Sequence, residues 1–514
     1  MNGAEALIRT AVASGVEVCF ANPGTTELHL VAALDAVPGI RAVLGLFEGV
    51  VTGAADGYAR MAGKPALTLT HLGPGFANGI ANLHNARRAG SPVVNLIGDQ
   101  ATWHLDADAP LTSDIESLAR PVSLWLRKAK TAAELGRDVA EAIAAAQRAP
   151  GGVATLIVPA DCAWGEAPGP SRPVAVEAAK KVGSDRIDAA ARALRSGEPA
   201  TILLGGSALS RSGSLAAARI AAKTGARVLF GTFPARVERG AGLPAFAKFP
   251  YFPEQGIELL GKVGQLLLAG ATEPVAFFGY PNLPSRLAPP TCRISVLARP
   301  EDDAAGALEA LADALGAGES EYELAASVRL EPATGKLTPD SLGRTLAALQ
   351  PENAIVVDEA ATSGAPWFGY ASGALSHSSL GLTGGAIGQG LPNAVGAAIA
   401  CPDRRVIALQ ADGSGMYTLQ ALWTAARESL DVTAIVCANR MYRILKVELA
   451  RADVRDPGPA ARGLTDLGPP NLDWVSLARG MGVPGERVET AEELAAALGR
   501  SFGERGPHLV EAVL

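Results

Sequence analysis

The stretch RVIALQADGSGMYTLQALWTAARESLDVTAIVCANR, Arg405–Arg440, decides the fold. An apolar run over 405–409 breaks at Asp412-Gly413-Ser414, an amphipathic segment follows, and a second apolar run over 432–436 leads to Asn439. Short, continuously apolar and β-branched runs separated by a helical pattern read as parallel strands covered on both faces. In such a βαβ unit both strands end at the same sheet edge, so Asp412 and Asn439 are expected together. One carboxylate and one amide oxygen form part of a shell for a hard divalent cation, which Mg²⁺ completes with water and phosphate oxygens. A helix opening after Gly413-Ser414 would offer backbone amides to those phosphates. The same residues would also serve an ordinary strand–turn–helix with Asp412 as the N-cap.

The alternation extends both ways along the chain. Strands are expected at 16–20, 42–46, 66–70, 92–97 and 154–158 in the first third, then at 200–205, 227–230, 274–278 and 293–297. The last third carries them at 354–357, 405–409, 432–436 and 508–513, and helices are expected at 185–195 and 303–315. A Pro/Gly/Ser-rich stretch, 167–174, and a polar one, 316–332, separate the thirds. The fold class is therefore α/β, with three doubly wound parallel-sheet domains at 1–166, 180–318 and 333–514. In the first and last, polar glycine-rich segments follow strands, where such sheets bind ligands.

Composition bounds the function. The chain has 514 residues, 48% hydrophobic and 19% charged, with a formal net charge of −7. That balance is globular, and mild acidity argues against nucleic acid or an anionic membrane as partner. Neither a membrane-spanning run nor a signal-peptide pattern is present, so a cytoplasmic location is expected. The five cysteines form no C-x-x-C pair and the six histidines no ligand spacing, which leaves no zinc or disulfide framework. Cys19 and Cys437 sit in strand-like runs and read as core residues.

The D-G-S turn, helix, apolar strand and Asn resemble the thiamine-diphosphate motif of 2-oxo acid decarboxylases and acetolactate synthases. The resemblance implies a pyrimidine domain, a central domain and a diphosphate domain. It implies Mg²⁺ held by Asp412, the Asn439 side chain and the Met441 carbonyl, with Gly413, Ser414 and Tyr442 near the cofactor. Ala411 and Ala438 stand where the family usually has Gly and a second Asn; both are small and leave the implied ligands in place. Glu48, in Leu46-Phe47-Glu48-Gly49, matches the family glutamate at the cofactor pyrimidine, where a carboxylate favours the imino form that takes up the C2 proton. A glutamate opening a helix is also a common dipole-stabilising residue.

Asn22-Pro23-Gly24-Thr25 resembles the family's N-P-G turn with a hydroxyl facing substrate, although Thr25 or Thr26 would equally cap a helix. His71-Leu72-Gly73-Pro74-Gly75 with Asn78 resembles the G-P-G-x-x-N stretch. In the benzoylformate decarboxylase branch a histidine at the His71 position assists proton transfers; a structural histidine is the other reading. Thr383–Pro392 resembles the segment that cradles the cofactor, with Gly385 offering a carbonyl and Ile387 as the wedge beneath it. The turn Glu359–Thr362 would add contacts to the diphosphate, Thr362 through its hydroxyl. Leu111, Ile444, Leu445 and Glu448 fall at substrate-pocket positions beside Thr25 and His71, and Trp103–Asp108 is able to reach in. Ordinary core packing is the alternative for Tyr442, Ile444 and Leu445.

The resemblance implies a thiamine-diphosphate- and Mg²⁺-dependent decarboxylase or carboligase acting on a 2-oxo acid. An acetolactate synthase catalytic subunit and a non-catalytic cofactor-binding relative are the alternatives. The middle third shows no flavin motif, so FAD is not expected. The adjacent His-His pair of pyruvate decarboxylases is absent. A homodimer or homotetramer is implied, with Glu48 of one chain facing the diphosphate site of another.

Overall fold

The computed structural model describes residues 1–318, 322–328 and 330–514; within the polar stretch 316–332, residues 319–321 and 329 lie outside the described residues. The first sheet is built from β1 (Val18–Asn22), β2 (Arg41–Leu44), β3 (Ala66–Thr70), β4 (Val93–Asp99), β5 (Trp125–Lys128) and β6 (Val153–Pro159). Their order is β2-β1-β3-β4-β6-β5, and every pairing is parallel. Every residue of β4 and β6 is buried, which is why both read as unbroken apolar runs. The chain reverses its direction of winding between β1 and β3, and the crevice at the carboxyl ends of such strands is where open α/β sheets place ligands.

A second sheet contains β7 (Ala200–Leu204), β8 (Arg227–Phe230), β10 (Ala247–Lys248), β11 (Gln265–Ala269) and β12 (Arg293–Ala298), with β9 (Val237–Arg239) outside it. Its order is β10-β8-β7-β11-β12, again parallel. The last third supplies β13 (Ile355–Glu359), β14 (His377–Leu380), β15 (Val406–Ala411), β16 (Val432–Ala438), β17 (Gly485–Val488) and β18 (His508–Val513). Five of these run β17-β18-β16-β15-β13 in parallel, and β14 pairs antiparallel with β9. Three parallel-dominated α/β sheets are thus present.

The chain forms two compact units. One comprises Met1–Val176, Leu330–Tyr370 and Leu382–Leu514 and holds the first sheet and the five parallel strands of the last third. The other comprises Glu177–Arg329 and Ala371–Gly381, so β14 belongs with the middle of the chain.

Two expectations need correction. The apolar run 274–278 is not a strand; the strand is β11, a buried Gln-Leu-Leu-Leu-Ala run nine residues earlier. Phe277 and Phe278 lie at the surface, where Phe277 packs edge-on against Phe233 and Phe278. Edge strands β5 and β17 escaped sequence reading because they are short, half-buried and charged, the usual dress of an edge. The single helix expected after Asp412 is also broken, into Asp412–Gly415 and Ala421–Arg427.

Candidate active site

β15 and β16 pair in parallel up to Ala411 opposite Cys437, so Asp412 and Asn439 leave the same sheet edge. Asp412 is 2% exposed. Its Oδ1 accepts from the Gly413 amide at 2.9 Å and its Oδ2 from the Arg440 amide at 2.6 Å. Burial pushes this carboxyl up from its ordinary range, and the two backbone donors pull it partly back. Asn439 Oδ1 accepts from the Met441 amide at 3.0 Å, while Nδ2 donates to Ser363 Oγ at 3.4 Å. Tyr442 packs over Gly413 so closely that a Cβ there would lie 2.5 Å from its ring. Ser414 donates to the Ala411 carbonyl at 3.3 Å, which closes the turn.

The segment Thr383–Gln389 is shaped by backbone few side chains tolerate: Gly385 and Gly388 have φ of +76° and +96°. Glu359, at the end of β13, turns inward and accepts from the amides of Gly388 and Gly390, each at 2.5 Å, and from Gln410 Nε2 at 3.2 Å. Its carboxylate thus pins this loop. Thr362, in the same turn, and Ile387, in the loop, are both half-buried. The helix Leu72–Ala89 grips the loop from the other side. Asn85 donates to the Ala386 carbonyl at 2.7 Å, His84 Nε2 lies 3.1 Å from the Gly384 carbonyl, and Asn82 Nδ2 donates to the carbonyls of Gly49 at 2.7 Å and Gly388 at 3.2 Å. Asn78, Asn82 and Asn85 fall four and three residues apart, on one helix face. That spacing was the signal for the two missed residues Asn82 and Asn85.

At the carboxyl ends of β1, β2 and β3 a second cluster forms. Glu48 is the first residue of the helix Glu48–Ala62 and is 8% exposed; its Oε2 accepts from Asn78 Nδ2 at 3.0 Å. The positive end of that helix favours its charge. A Cβ on Gly75 would come within 2.8 Å of Glu48 Oε1 and 3.1 Å of His71, so Gly75 leaves both side chains room. His71 caps the Leu72–Ala89 helix and sets Nδ1 2.7 Å from Glu27 Oε2. Thr25 begins the short turn Thr25–Glu27 beside them and is exposed.

A family model described as the thiamine pyrophosphate enzyme N-terminal TPP binding domain matches residues 1–118, and its C-terminal counterpart matches 372–512. The IlvX protein of Mycobacterium tuberculosis, whose name assigns it provisionally to acetolactate synthase large subunits, is 52% identical over 100% of this chain and 99% of its own. The chain belongs to the thiamine pyrophosphate enzymes. This thiamine pyrophosphate enzyme is also 31% identical to the benzoylformate decarboxylase of Pseudomonas aeruginosa, over 97% and 96% of the two chains. A solved 4-hydroxybenzoylformate decarboxylase of Rhodococcus jostii, itself thiamine diphosphate-dependent, superposes with a TM-score of 0.84 at 26% identity, covering 99% and 98% of the chains.

The residues present suit thiamine diphosphate held through a divalent cation. Asp412 is a buried carboxylate, Asn439 adds an amide oxygen at the same edge, and Gly413 brings bare backbone beside them. No group of three or more His, Cys, Asp or Glu able to hold a metal occurs among the described residues. The substrate-pocket candidates are more open. The helix Arg443–Arg451 has no buried residue, so Ile444 and Leu445 are not core, and Glu448 pairs with Arg451 at 3.1 Å. Leu111 and Trp103 are 40% and 73% exposed. Ser113, two residues after Leu111, has its Oγ 1.8 Å from where a Cβ on Gly73 would stand, which brings this segment against the turn that follows His71. Among the described residues no helix is long and apolar enough to cross a membrane.

Proposed function

We propose that this thiamine pyrophosphate enzyme decarboxylates a 2-oxo acid and is able to pass the product carbon to an acceptor carbonyl. The observation that carries the reading is His71, a titratable side chain sharing the Gly75 turn with the buried Glu48. Asp412, Asn439 and the Met441 carbonyl would hold Mg²⁺, and Gly413, Ser414 and Tyr442 would flank the diphosphate. Thiamine diphosphate supplies, when bound, the electron sink that lets CO₂ leave. Glu48 would set its carboxylate against the pyrimidine and pass a proton there, and Asn78 fixes its orientation. His71 moves a proton at the ring nitrogen away from Glu27, the general acid–base role open to an imidazole. Leu111, Ile444 and Leu445 would give the substrate an apolar surface.

The named relatives support this reading: benzoylformate, the substrate in the name of the Pseudomonas protein, is a 2-oxo acid. A panel of aromatic, branched and short 2-oxo acids, scored for CO₂ with and without an acceptor aldehyde, tests it. Release from at least one acid only in the presence of thiamine diphosphate and Mg²⁺ is the expected result. The acetolactate synthase reading is favoured by the 52% identical relative. Pyruvate consumed without free aldehyde, and with an acetohydroxy acid formed, would establish it instead.

We also propose that two chains share each site, Glu48 from one and Asp412 from the other. Glu48→Gln and Asp412→Asn proteins, each inactive, should regain activity when mixed and reassembled, because one site of each mixed pair is then intact. Mixtures as inactive as their parents would mean that each site is built from a single chain.

A further inference from the structure

Glu27 has no assigned role, yet it is 0% exposed, and a backbone amide and a hydroxyl both donate to its side chain. Oε2 accepts from the Gly24 amide at 2.7 Å, and Oε1 accepts from Thr26 Oγ1 at 2.6 Å. Oε2 also lies 2.7 Å from His71 Nδ1. A carboxylate in this setting only accepts, so Nδ1 must carry a hydrogen. In the neutral ring the lone pair is then on Nε2.

The position of the ring is equally constrained. A Cβ on Gly24 would fall 2.1–2.3 Å from three atoms of the imidazole, so the ring lies flat against bare backbone. Gly98, in β4, stands so close behind that its Cβ would be 1.7 Å from Glu27 Oε1, which keeps the carboxylate from retreating. The His71 side chain keeps 24% of its surface exposed and the Glu27 side chain none, so the pair exchanges protons only through the imidazole edge.

We propose that Glu27 is the positioning residue for His71: it fixes the Nδ1–H form and presents Nε2 to the substrate as the proton-transferring atom. The assignment rests on the reading of His71 as the acid–base group. Glu27 itself touches no substrate. Gln at 27 still places an oxygen against Nδ1–H and the Gly24 amide, whereas Ala leaves Nδ1 without a partner, and an imidazole without a partner prefers the Nε2–H form.

The test is the tautomer of His71, read from imidazole ¹⁵N shifts in selectively labelled protein at a pH where the ring is neutral, with the resonance assigned by loss in His71→Gln. Wild type and Glu27→Gln should show Nδ1–H, and Glu27→Ala should shift to Nε2–H. The kcat of Glu27→Ala should fall by about 10²-fold, within the range general acid–base catalysis supplies, with KM changed by less than about threefold. Glu27→Gln should recover most of that loss. Nε2–H in the wild type, or an unchanged tautomer in Glu27→Ala, would overturn the proposal. The wild-type spectrum decides the matter even where Glu27→Ala does not fold. A tautomer shift in a protein that turns over no 2-oxo acid supports the pairing and overturns the reaction instead.

Discussion

Glu359 shows what a single buried carboxylate does here. Burial raises its carboxyl above a glutamate's ordinary 4.5, and the amides of Gly390 and Gly388 and the Gln410 side chain restrain the rise. The unfolded chain therefore releases this proton before the folded one does. Stability contributed by Glu359 is full below 4.5 and is lost as pH rises through the elevated value. Without added cofactor, the melting temperature of wild type minus that of Glu359→Gln should decrease from acid to neutral pH; an increase would contradict the assignment. That Asp412 and Asn439 leave one sheet edge was legible because the strand-to-turn pattern that places them is local. Glu27 carries no such local signal, since its partner His71 is 44 positions away. Glu359 and Asn82 were hidden likewise, their partners being contributed by other elements.

At the scale of elements, the helices Glu48–Ala62 and Gly390–Ala400 meet backbone to backbone. A Cβ on Gly396 would lie 1.9 Å from the Ala54 carbonyl, and one on Gly57 2.2 Å from the Asn393 carbonyl. Asn393 Nδ2 donates to the Gly53 carbonyl at 2.9 Å, and Arg60 pairs with Asp56 at 2.6 Å in full burial. Gly396→Ala therefore has a definite consequence: the helices must part, at a cost of about 1–3 kcal/mol for an overpacked core. Chemical denaturation should show the loss, and thiamine diphosphate titration should weaken with it, because Gly388 and Gly390 adjoin the displaced helix. A variant as stable as wild type would mean the contact yields freely. The central strands were readable as apolar runs. The 274–278 run misled because composition alone does not separate a buried strand from a surface aromatic cluster, which only tertiary packing resolves.

Across the whole molecule, thiol accessibility reports the burial pattern in one measurement. Cys19, Cys162 and Cys437 are buried, and Cys292 and Cys401 only partly so. Desolvation pushes Cys19 up to about 12 and Cys162 to about 11, so neither offers thiolate near neutrality. A thiol reagent should titrate at most two cysteines in the native protein and all five in denaturant; rapid native modification of Cys19 or Cys437 would contradict the first sheet or the last. The three-sheet plan was readable from strand alternation. That β14 joins the middle of the chain was not, because a four-residue strand paired with a segment 140 positions away leaves no local trace.

The amide of Asn82 bonds the carbonyls of Gly49 and Gly388 at once. The residue after Glu48 and the residue after Ile387 are therefore tied by one side chain before any ligand arrives. In entropic terms, the loop surrenders its freedom when the chain folds, and little remains to be lost on binding. Association should then proceed without a slow ordering step, and replacing Asn82 should register as slower or weaker capture rather than as altered chemistry.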